Sequence, residues 1–281
     1  MLFEQVTIVG VGLIGGSVGL AAKARGAAAR LVGVDRDEGV LARAVAVGAV
    51  DGGTTDLADG VRGSELVVVC TPVDRVAEVV LAAAPHAGPG TLFTDAGSTK
   101  RRIVADVQGR LPAGIEFVPA HPLAGSEKAG PEHARADLFV NRVTVVVVSN
   151  SSTAWERTVA VGRFWEALGS RVTLMNADEH DRVLAVTSHL PHAVASAAAG
   201  ATPEEWLRLS AGGFRDVTRI AAGDPALWAA IFLANRDAVL AAVDSFSERL
   251  SAFRTLLDAG DRAGLMQWLT EGKQVRDALG T

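Results

Sequence analysis

The sequence predicts an α/β protein with two domains, the first built on a mainly parallel sheet and the second entirely helical. Its 281 residues suffice for two domains with separate cores. Up to Asn176, short β-type runs alternate with helical stretches, and several runs are continuously apolar, as in strands covered on both faces. After Asn176 the strand signals stop, which predicts domains at residues 1–176 and 177–281.

The predicted strands of the first domain follow one another at short intervals. They are Val6–Val9, Leu31–Asp35, Leu66–Cys70, Leu92–Asp95, Glu116–Val118, Arg142–Val148 and Val172–Met175. A helix over Ala154–Leu168 joins the last two runs, which is why we place the domain boundary near Asn176.

The second domain begins with helical spacing over Asp178–Ala199, where Pro191 predicts a kink. Asp224 and Pro225 form a helix start signal, and the periodic pattern then continues to Gly260. At 1.5 Å per residue this helix would span about 50 Å, which is more than the second domain buries comfortably. We therefore expect the protein to form a homodimer through this helix. The alternative is a long helix that packs entirely inside one subunit.

A glycine motif stands between the first strand and the first helix. Gly10 suits a tight turn, Gly12 a close backbone approach to a pyrophosphate, and Gly15 close packing of helix on strand. Leu13 and Ile14 open the helix, whose free N–H groups attract an anion. In this context the motif predicts a Rossmann-type dinucleotide site rather than a simple glycine-rich turn.

The second strand ends in Asp35, about 20 residues after Gly15. A carboxylate at this place accepts hydrogen bonds from the adenosine ribose and repels a 2′-phosphate, which favours NAD over NADP. Arg36 next to it leaves some NADP binding open. Thr71 and Pro72, which follow the third strand, are predicted to line the cofactor channel or to form an ordinary turn.

Composition excludes several classes of function. The formal net charge of −5 argues against nucleic acid as a partner, because phosphate binding normally needs a basic face. No apolar run reaches the roughly 18 residues of a membrane span. The chain enters a strand almost at once, so we expect no signal peptide, and the single cysteine, Cys70, fits a reducing cytoplasm.

Polar residues cluster after the fourth strand. Ser98 is the predicted N-cap of the next helix, whose first turn would hold Lys100, Arg101 and Arg102. The helix dipole disfavours a cation there by a few tenths to about 1 kcal/mol, which indicates a negatively charged ligand nearby. Alternatively, the side chains of Arg101 and Arg102 extend into water.

Histidines provide the candidate proton acceptors. His121 follows the fifth predicted strand, and an imidazole near the nicotinamide is suited to take a hydroxyl proton during hydride transfer. His189 and His192 lie three residues apart beside Pro191, where hydrogen bonding to a substrate acid is favoured over metal binding because no ligand set is complete. Arg219 suits bidentate carboxylate binding with Asp216 beside it, or the two form an ordinary ion pair.

Taken together, these motifs resemble the prephenate and arogenate dehydrogenases of tyrosine biosynthesis over nearly the whole chain. The resemblance rests on the segments Gly10–Ser17, Asp95–Lys100, His121–Gly125, Thr187–His192 and Gly213–Ala221. It implies NAD-dependent oxidative decarboxylation of prephenate to 4-hydroxyphenylpyruvate. It further implies His121 as base and Ser98 as the residue that orients it and touches substrate or nicotinamide.

The same resemblance implies the substrate-binding residues. Arg219 would hold a substrate carboxylate, with Lys100 or an imidazole adding positive charge, while His189 and His192 would line the pocket. The residues that would shape or gate it are Glu127, Asp216 and Trp228.

Three rivals stay open. Arogenate dehydrogenase shares the fold and the chemistry, and we favour prephenate because His192 can pair with a keto acid. A β-hydroxyacid dehydrogenase normally needs a lysine in its helical domain, but the only lysine after Lys128 is Lys273. An NAD-sensing module without activity would need the glycine motif but not His121, Ser98 or Arg219.

Overall fold

The computed structural model describes residues 1–125, 128–148 and 153–280. These residues divide into two compact units, Met1–Asn235 and Arg236–Thr281. The helices that follow Asn176 as far as Asn235 belong to the first unit, together with the strands. The predicted domain boundary at Asn176 stays a prediction.

A six-stranded parallel sheet forms the centre of the first unit. Its order is β3-β2-β1-β4-β5-β6, the order of the doubly wound dinucleotide-binding fold. The strands are β1 (Phe3–Val9), β2 (Ala28–Val34), β3 (Gly52–Thr54), β4 (Leu66–Val69), β5 (Leu92–Asp95) and β6 (Glu116–Phe117). The direction of winding reverses between β1 and β4, and ligands of such sheets bind outside the carboxyl ends of the strands at this point.

The last two predicted strands, Arg142–Val148 and Val172–Met175, belong to a separate sheet of three strands. It consists of β7 (Ala120–Pro122), β8 (Val143–Val147) and β9 (Arg171–Met175), with β7 antiparallel to β8 and β8 parallel to β9. Strands β3 and β7 were not predicted from the sequence. Neither has an apolar run, because β3 begins with two glycines and β7 contains Pro122, which an edge strand tolerates.

Helices cover the sheets of the first unit. They are α1 (Leu13–Ala24), α2 (Glu38–Ala46), α3 (Leu57–Gly60), α4 (Val76–Ala83), α5 (Arg101–Val107), α6 (Thr153–Ala167), α7 (Ala177–Leu184), α8 (Leu190–Gly200), α9 (Gly212–Thr218) and α10 (Pro225–Ala234). Two apolar clusters form the core, and alternating residues of β1 divide between them: Val6 and Ile8 belong to one cluster and Val9 to the other. The central strands are therefore covered on both faces, as their apolar sequences predicted.

Two helix predictions need correction. The predicted helix over Asp178–Ala199 is interrupted by a π-helical turn at Ala185–His189, just before Pro191, whose ring nitrogen cannot donate a backbone hydrogen bond. The helix predicted from Pro225 to Gly260 is two helices, because α10 ends at Ala234.

The second unit contains α11 (Arg236–Asp258) and α12 (Arg262–Ala278). Phe253 and Arg249 of α11 both contact the Trp268 ring of α12, the arginine through a cation–π interaction. Among the described residues no single helix is long and apolar enough to cross a membrane, although the bent pair Gly212–Ala222 and Pro225–Ala234 passes that test jointly.

Candidate active site

The glycine loop between β1 and α1 has the geometry of a phosphate cradle. Gly10 has φ +89°, and a Cβ atom there would lie 2.9 Å from the Cys70 carbonyl oxygen. A Cβ on Gly15 would lie 2.0 Å from the Gly10 oxygen, so helix and loop touch directly. A Cβ on Gly12 would meet no described atom within 4 Å, and no side chain caps α1. The space above Gly12 and the N-terminus of α1 thus fit a pyrophosphate.

Asp35 is held for hydrogen bonding at the carboxyl end of β2. Its two carboxylate oxygens accept the N–H groups of Val11, at 3.1 Å, and Asp37, at 3.1 Å. The side chain remains partly exposed, and Arg36 beside it is exposed. This arrangement is consistent with the predicted role of Asp35 in binding ribose hydroxyls, which stays a prediction.

Thr71 lies against the glycine loop on the carboxyl side of β4. Its backbone nitrogen would be 3.1 Å from a Cβ on Gly10. Its hydroxyl is buried and has no hydrogen-bond partner among the described residues, whereas Pro72 is exposed. An unsatisfied buried hydroxyl beside the cradle is consistent with a polar group of the cofactor as its partner.

His121 begins a buried chain of hydrogen bonds. It lies within β7, where it pairs with Val145 of β8, rather than in a loop after a strand. Its Nδ1 is 2.9 Å from Nε2 of His180, and Nδ1 of His180 is 2.7 Å from a carboxylate oxygen of Asp181. The side chains of His180 and Asp181 are almost completely buried, and His121 is 8% exposed.

The environment keeps His121 neutral. Burial lowers the pKa of this imidazole well below 6.5, and His180, Lys100 and His189 lower it further. The pKa of His180 is also lowered by burial, although the hydrogen bond to Asp181 opposes this. A neutral imidazole at neutral pH can accept a proton, which is the state that a general base requires.

Asp181 joins this chain to helix α5. Its carboxylate accepts the N–H groups of Lys100, at 2.8 Å, and Arg101, at 2.9 Å. Burial raises its pKa, but the hydrogen bonds from His180, Arg101 and Lys100 outweigh burial and lower it overall. Asp181 therefore occupies the capping role that we had predicted for Ser98, and α5 begins at Arg101 instead.

Lys100 does not offer its charge to a ligand, contrary to our expectation. Its side chain is fully buried, where it forms an ion pair with Asp95 and donates to the Ala120 carbonyl oxygen at 2.7 Å. Asp95 in turn accepts the Ala120 N–H at 3.0 Å. The pair thus holds both backbone groups of the residue before His121. We had taken the cations at the start of this helix as a sign of a negatively charged ligand. For Lys100 the negative charge is the carboxylate of Asp95.

Ser98 has a different position from the one expected. It is partly buried, but no hydrogen bond joins it to His121 within the described ranges, and His180 orients the ring instead. The segment that follows His121 does reach the dinucleotide loop, since a Cβ on Gly125 would lie 3.8 Å from Cδ1 of Ile14. The imidazole and the glycine cradle therefore belong to neighbouring segments.

Most of the other predicted residues lie in the helices between Asn176 and Asn235. His189 is buried, and its Nδ1 is 3.2 Å from the Asn235 amide nitrogen. His192 is partly exposed and stacks on Trp228, with ring centroids 3.4 Å apart and an interplanar angle of 25°. Burial lowers the pKa of His192, a hydrogen bond to the Ile220 carbonyl raises it, and nearby Arg219 lowers it. The 3₁₀ turn that begins at Arg219 packs against α8, which contains His192.

Arg219 and Asp216 are both exposed, the first in a 3₁₀ turn after α9 and the second on α9. No ion pair between them occurs in the part of the chain that the structure describes, so the simple ion-pair interpretation is not seen there. Glu127, the remaining predicted residue, lies outside the described residues. Within those residues no group of three or more histidine, cysteine or carboxylate side chains could hold a metal ion.

Sequence reasoning missed His180, Asp181, Asn235 and the role of Asp95. His180 and Asp181 lie in the polar first turns of α7, where charged residues normally face water. Asn235 was the more visible signal, since it ends an otherwise apolar run from Ile231 to Ala234. A lone amide at the end of such a run is a candidate for a buried hydrogen-bonding role.

Comparison with known proteins gives consistent results. The family model "Prephenate dehydrogenase, nucleotide-binding domain" matches residues 18–174, and "Prephenate dehydrogenase, dimerization domain" matches residues 176–271. A cyclohexadienyl dehydrogenase of Zymomonas mobilis is 37% identical over 100% of this chain and 97% of its own length. A prephenate dehydrogenase of Bacillus subtilis is 32% identical over 98% of this chain and 76% of its own.

A similar solved structure is prephenate dehydrogenase of Aquifex aeolicus in complex with hydroxyphenyl propionate and NAD+. It superimposes with a TM-score of 0.90 and 32% sequence identity, and the match covers 98% of both chains.

Proposed function

Since this chain belongs to the prephenate dehydrogenase family, we propose that it converts prephenate to 4-hydroxyphenylpyruvate and CO2 with NAD as cofactor. The observation that carries the proposal is the buried, neutral His121, whose Nδ1 is bonded to His180 and whose segment continues beside the glycine loop. An imidazole in this setting combines a free acceptor nitrogen with proximity to the nucleotide cradle.

The glycine loop and Asp35 would hold NAD, which when bound supplies the acceptor for the hydride of the substrate. His121 takes the proton of the substrate ring hydroxyl through Nε2. Loss of CO2 makes the ring aromatic, and this driving force belongs to the substrate. The protein therefore needs mainly to align the reacting carbon and to receive one proton.

The helical residues bind the acid groups of prephenate. Arg219 pairs with a carboxylate, for which its planar guanidinium offers two parallel N–H donors. His192, Trp228 and His189 surround the side chain of the substrate, and Ser98 contacts substrate or nicotinamide. Asp216 and Glu127 stay proposals as residues that shape the entrance.

Arogenate is a second candidate substrate, and one observation favours it. His192 is partly exposed and burial lowers its pKa, so its neutral ring has a nitrogen lone pair that an ammonium group could satisfy. The name of the Zymomonas mobilis relative, cyclohexadienyl dehydrogenase, is also broader than prephenate alone. We favour prephenate because the positive charge of Arg219 near His192 would repel the ammonium group of arogenate but not the keto oxygen of prephenate.

The decisive experiment measures NADH formation at 340 nm with purified protein and prephenate or arogenate, each with NAD and with NADP. We expect the highest kcat/KM with prephenate and NAD. A higher kcat/KM with arogenate would reverse the substrate proposal. No NADH with either substrate would contradict the enzyme proposal and favour an NAD-sensing module.

We also propose a homodimer formed by the helical residues. The matched family segment at residues 176–271 is a dimerization domain. Within the second unit large apolar side chains are exposed on both helices, among them Leu250, Leu257, Met266 and Leu269. Light scattering coupled to gel filtration should give twice the chain mass of 29.1 kDa. A monomer at micromolar concentration would contradict this.

A further inference from the structure

The hydrogen-bond chain at His121 has a defined direction. The carboxylate of Asp181 only accepts, so the Nδ1 of His180 that lies 2.7 Å from it carries a proton. In a neutral His180 the other nitrogen, Nε2, is then an acceptor, and it is 2.9 Å from Nδ1 of His121. Nδ1 of His121 must therefore be the donor, which leaves Nε2 of His121 without a proton.

A second buried group imposes the opposite state on His189. The Asn235 amide nitrogen donates to the Asp181 carbonyl oxygen at 2.7 Å, and this contact determines the orientation of the amide, since a carbonyl cannot donate. The same nitrogen is 3.2 Å from Nδ1 of His189, which must accept because an amide nitrogen has only donors. The proton of a neutral His189 is therefore on Nε2.

We propose that Asp181, acting through His180, and Asn235 are positioning residues that fix opposite tautomers of two imidazoles. His121 presents an unprotonated Nε2, and His189 presents a protonated one. Both anchors meet at a single residue, because Asp181 uses its carboxylate for His180 and its backbone carbonyl for Asn235. The beginning of α7 and the end of α10 thus set the polarity of both rings.

The surroundings support neutral rings in both cases. Burial lowers the pKa of His189 to about 4, with Asp181 raising it and His180 and His192 lowering it. The neighbouring charge of Lys100 also lowers the pKa of both His121 and His180, which opposes a doubly protonated His180. The rival arrangement is a cationic His180 that donates to Nδ1 of His121. Asp181 and Asp95 raise the pKa of His180 and so favour this state, but burial and Lys100 outweigh them and lower the pKa overall.

The catalytic meaning of the inference rests on the proposed function, because only a proton acceptor needs the free Nε2. A base with its proton on the wrong nitrogen cannot accept the hydroxyl proton, even if the ring occupies the same place. A donor at His189 complements a substrate oxygen. The tautomers themselves do not depend on the identity of the substrate, so they can be tested without it.

The first test records long-range 1H–15N spectra of protein with 15N-labelled histidine, which distinguish the two tautomers of each ring. The chain has six histidines, and the signals of three are assigned by their loss in His121→Asn, His180→Asn and His189→Asn. We expect the Nδ1–H form for His121 and the Nε2–H form for His189 near pH 7. The reverse form of either ring, or a cationic His180, would overturn the proposal.

The second test replaces Asp181 by asparagine, which has the same shape but presents an amide to His180. We expect kcat with prephenate to fall by about 10²- to 10⁴-fold, the range for a base with the wrong tautomer. KM and the dissociation constant for NADH should change by less than about threefold. The His121 signal should change to the other tautomer or to a mixture.

Asp178→Asn is the matched control, because Asp178 is an exposed aspartate on the same helix. Its kcat should stay within about twofold of the wild-type value. A kcat of Asp181→Asn that is equally unchanged would overturn the role of Asp181. If Asp181→Asn does not fold, the spectrum of the wild-type protein still decides the proposal. Absence of turnover with prephenate, together with the expected tautomers, would count against the proposed function alone.

Discussion

His121 is 8% exposed and is joined to a buried hydrogen-bond chain, whereas Arg219 lies exposed in a 3₁₀ turn. Two segments distant in sequence hold His121 in place. Lys100 and Asp95 bond to the backbone of Ala120 next to it, and His180 bonds to its ring. The side chain of Arg219 forms no hydrogen bond or ion pair with the described residues. A group that transfers a proton must be held in one position and one protonation state. A group that binds an anion, in contrast, can stay exposed to solvent until the anion binds.

Lys100→Met should have the largest effect, a loss of protein stability at the buried site. It leaves the Asp95 carboxylate buried without its cation, and loss of one partner of a buried pair costs about 3–5 kcal/mol of the free energy of unfolding. Urea denaturation followed by circular dichroism measures this loss. Lys273→Met provides the control, because the Lys273–Asp277 pair is exposed and should contribute less than about 1 kcal/mol. Equal losses in both variants would contradict the buried role of Lys100.

His121→Asn tests the chemistry of the same site. Removal of a general base should lower kcat by about 100-fold or more, with little effect on prephenate binding. Steady-state kinetics and a binding titration with prephenate separate the two effects. His86→Asn, a change at an exposed histidine, should leave kcat unaltered. Full activity of His121→Asn would exclude His121 as the base.

Arg219→Lys tests whether the exposed arginine binds a substrate carboxylate. A lysine keeps the charge but loses the two parallel N–H donors, so KM for prephenate should rise by about tenfold while kcat changes little. The free energy of unfolding should stay within about 0.5 kcal/mol, as for other surface substitutions. Arg208→Lys, at another exposed arginine, is the control. A fall in kcat with an unchanged KM would indicate a role in the chemical step instead.

The smallest effect concerns pH. Because the pKa of His121 is lowered well below 6.5, the base stays unprotonated as pH falls through the ordinary histidine range. We expect kcat/KM to change by less than about twofold between pH 8 and 6.5 and to fall only at more acid pH. His189 and His192, whose pKa values are also lowered, act in the same direction. A decline centred near pH 6.5 would show a base with an ordinary pKa.

The free energy of unfolding should also decrease as the pH falls. In the unfolded chain these histidines bind protons near pH 6.5, whereas the folded protein keeps them neutral to lower pH. Their contribution to stability is therefore complete above about pH 6.5 and is lost as pH falls below it.

Local pattern was enough for the central strands and for the glycine loop. The apolar runs of β1, β4 and β5 and the spacing of Gly10, Gly12 and Gly15 depend only on neighbours in the chain. The break before Pro191 was also predictable, but its form as a π-helical turn was not. The interruption of the long helix at Asn235 escaped prediction because the amide bonds to Asp181 and His189, which are far away in the sequence.

Residue type and short-range spacing were sufficient to predict the fold class and the dinucleotide cradle and to select His121 as the candidate base. The hydrogen-bond partners of these groups, in contrast, depend on how distant segments pack together. The tertiary structure buried Lys100 against Asp95, replaced Ser98 by His180 as the residue that orients His121, and brought Asp181 to the start of α5. The physical reason is that a buried polar group takes whatever partner the packing brings within hydrogen-bond distance, and periodicity along the chain contains no information about that partner.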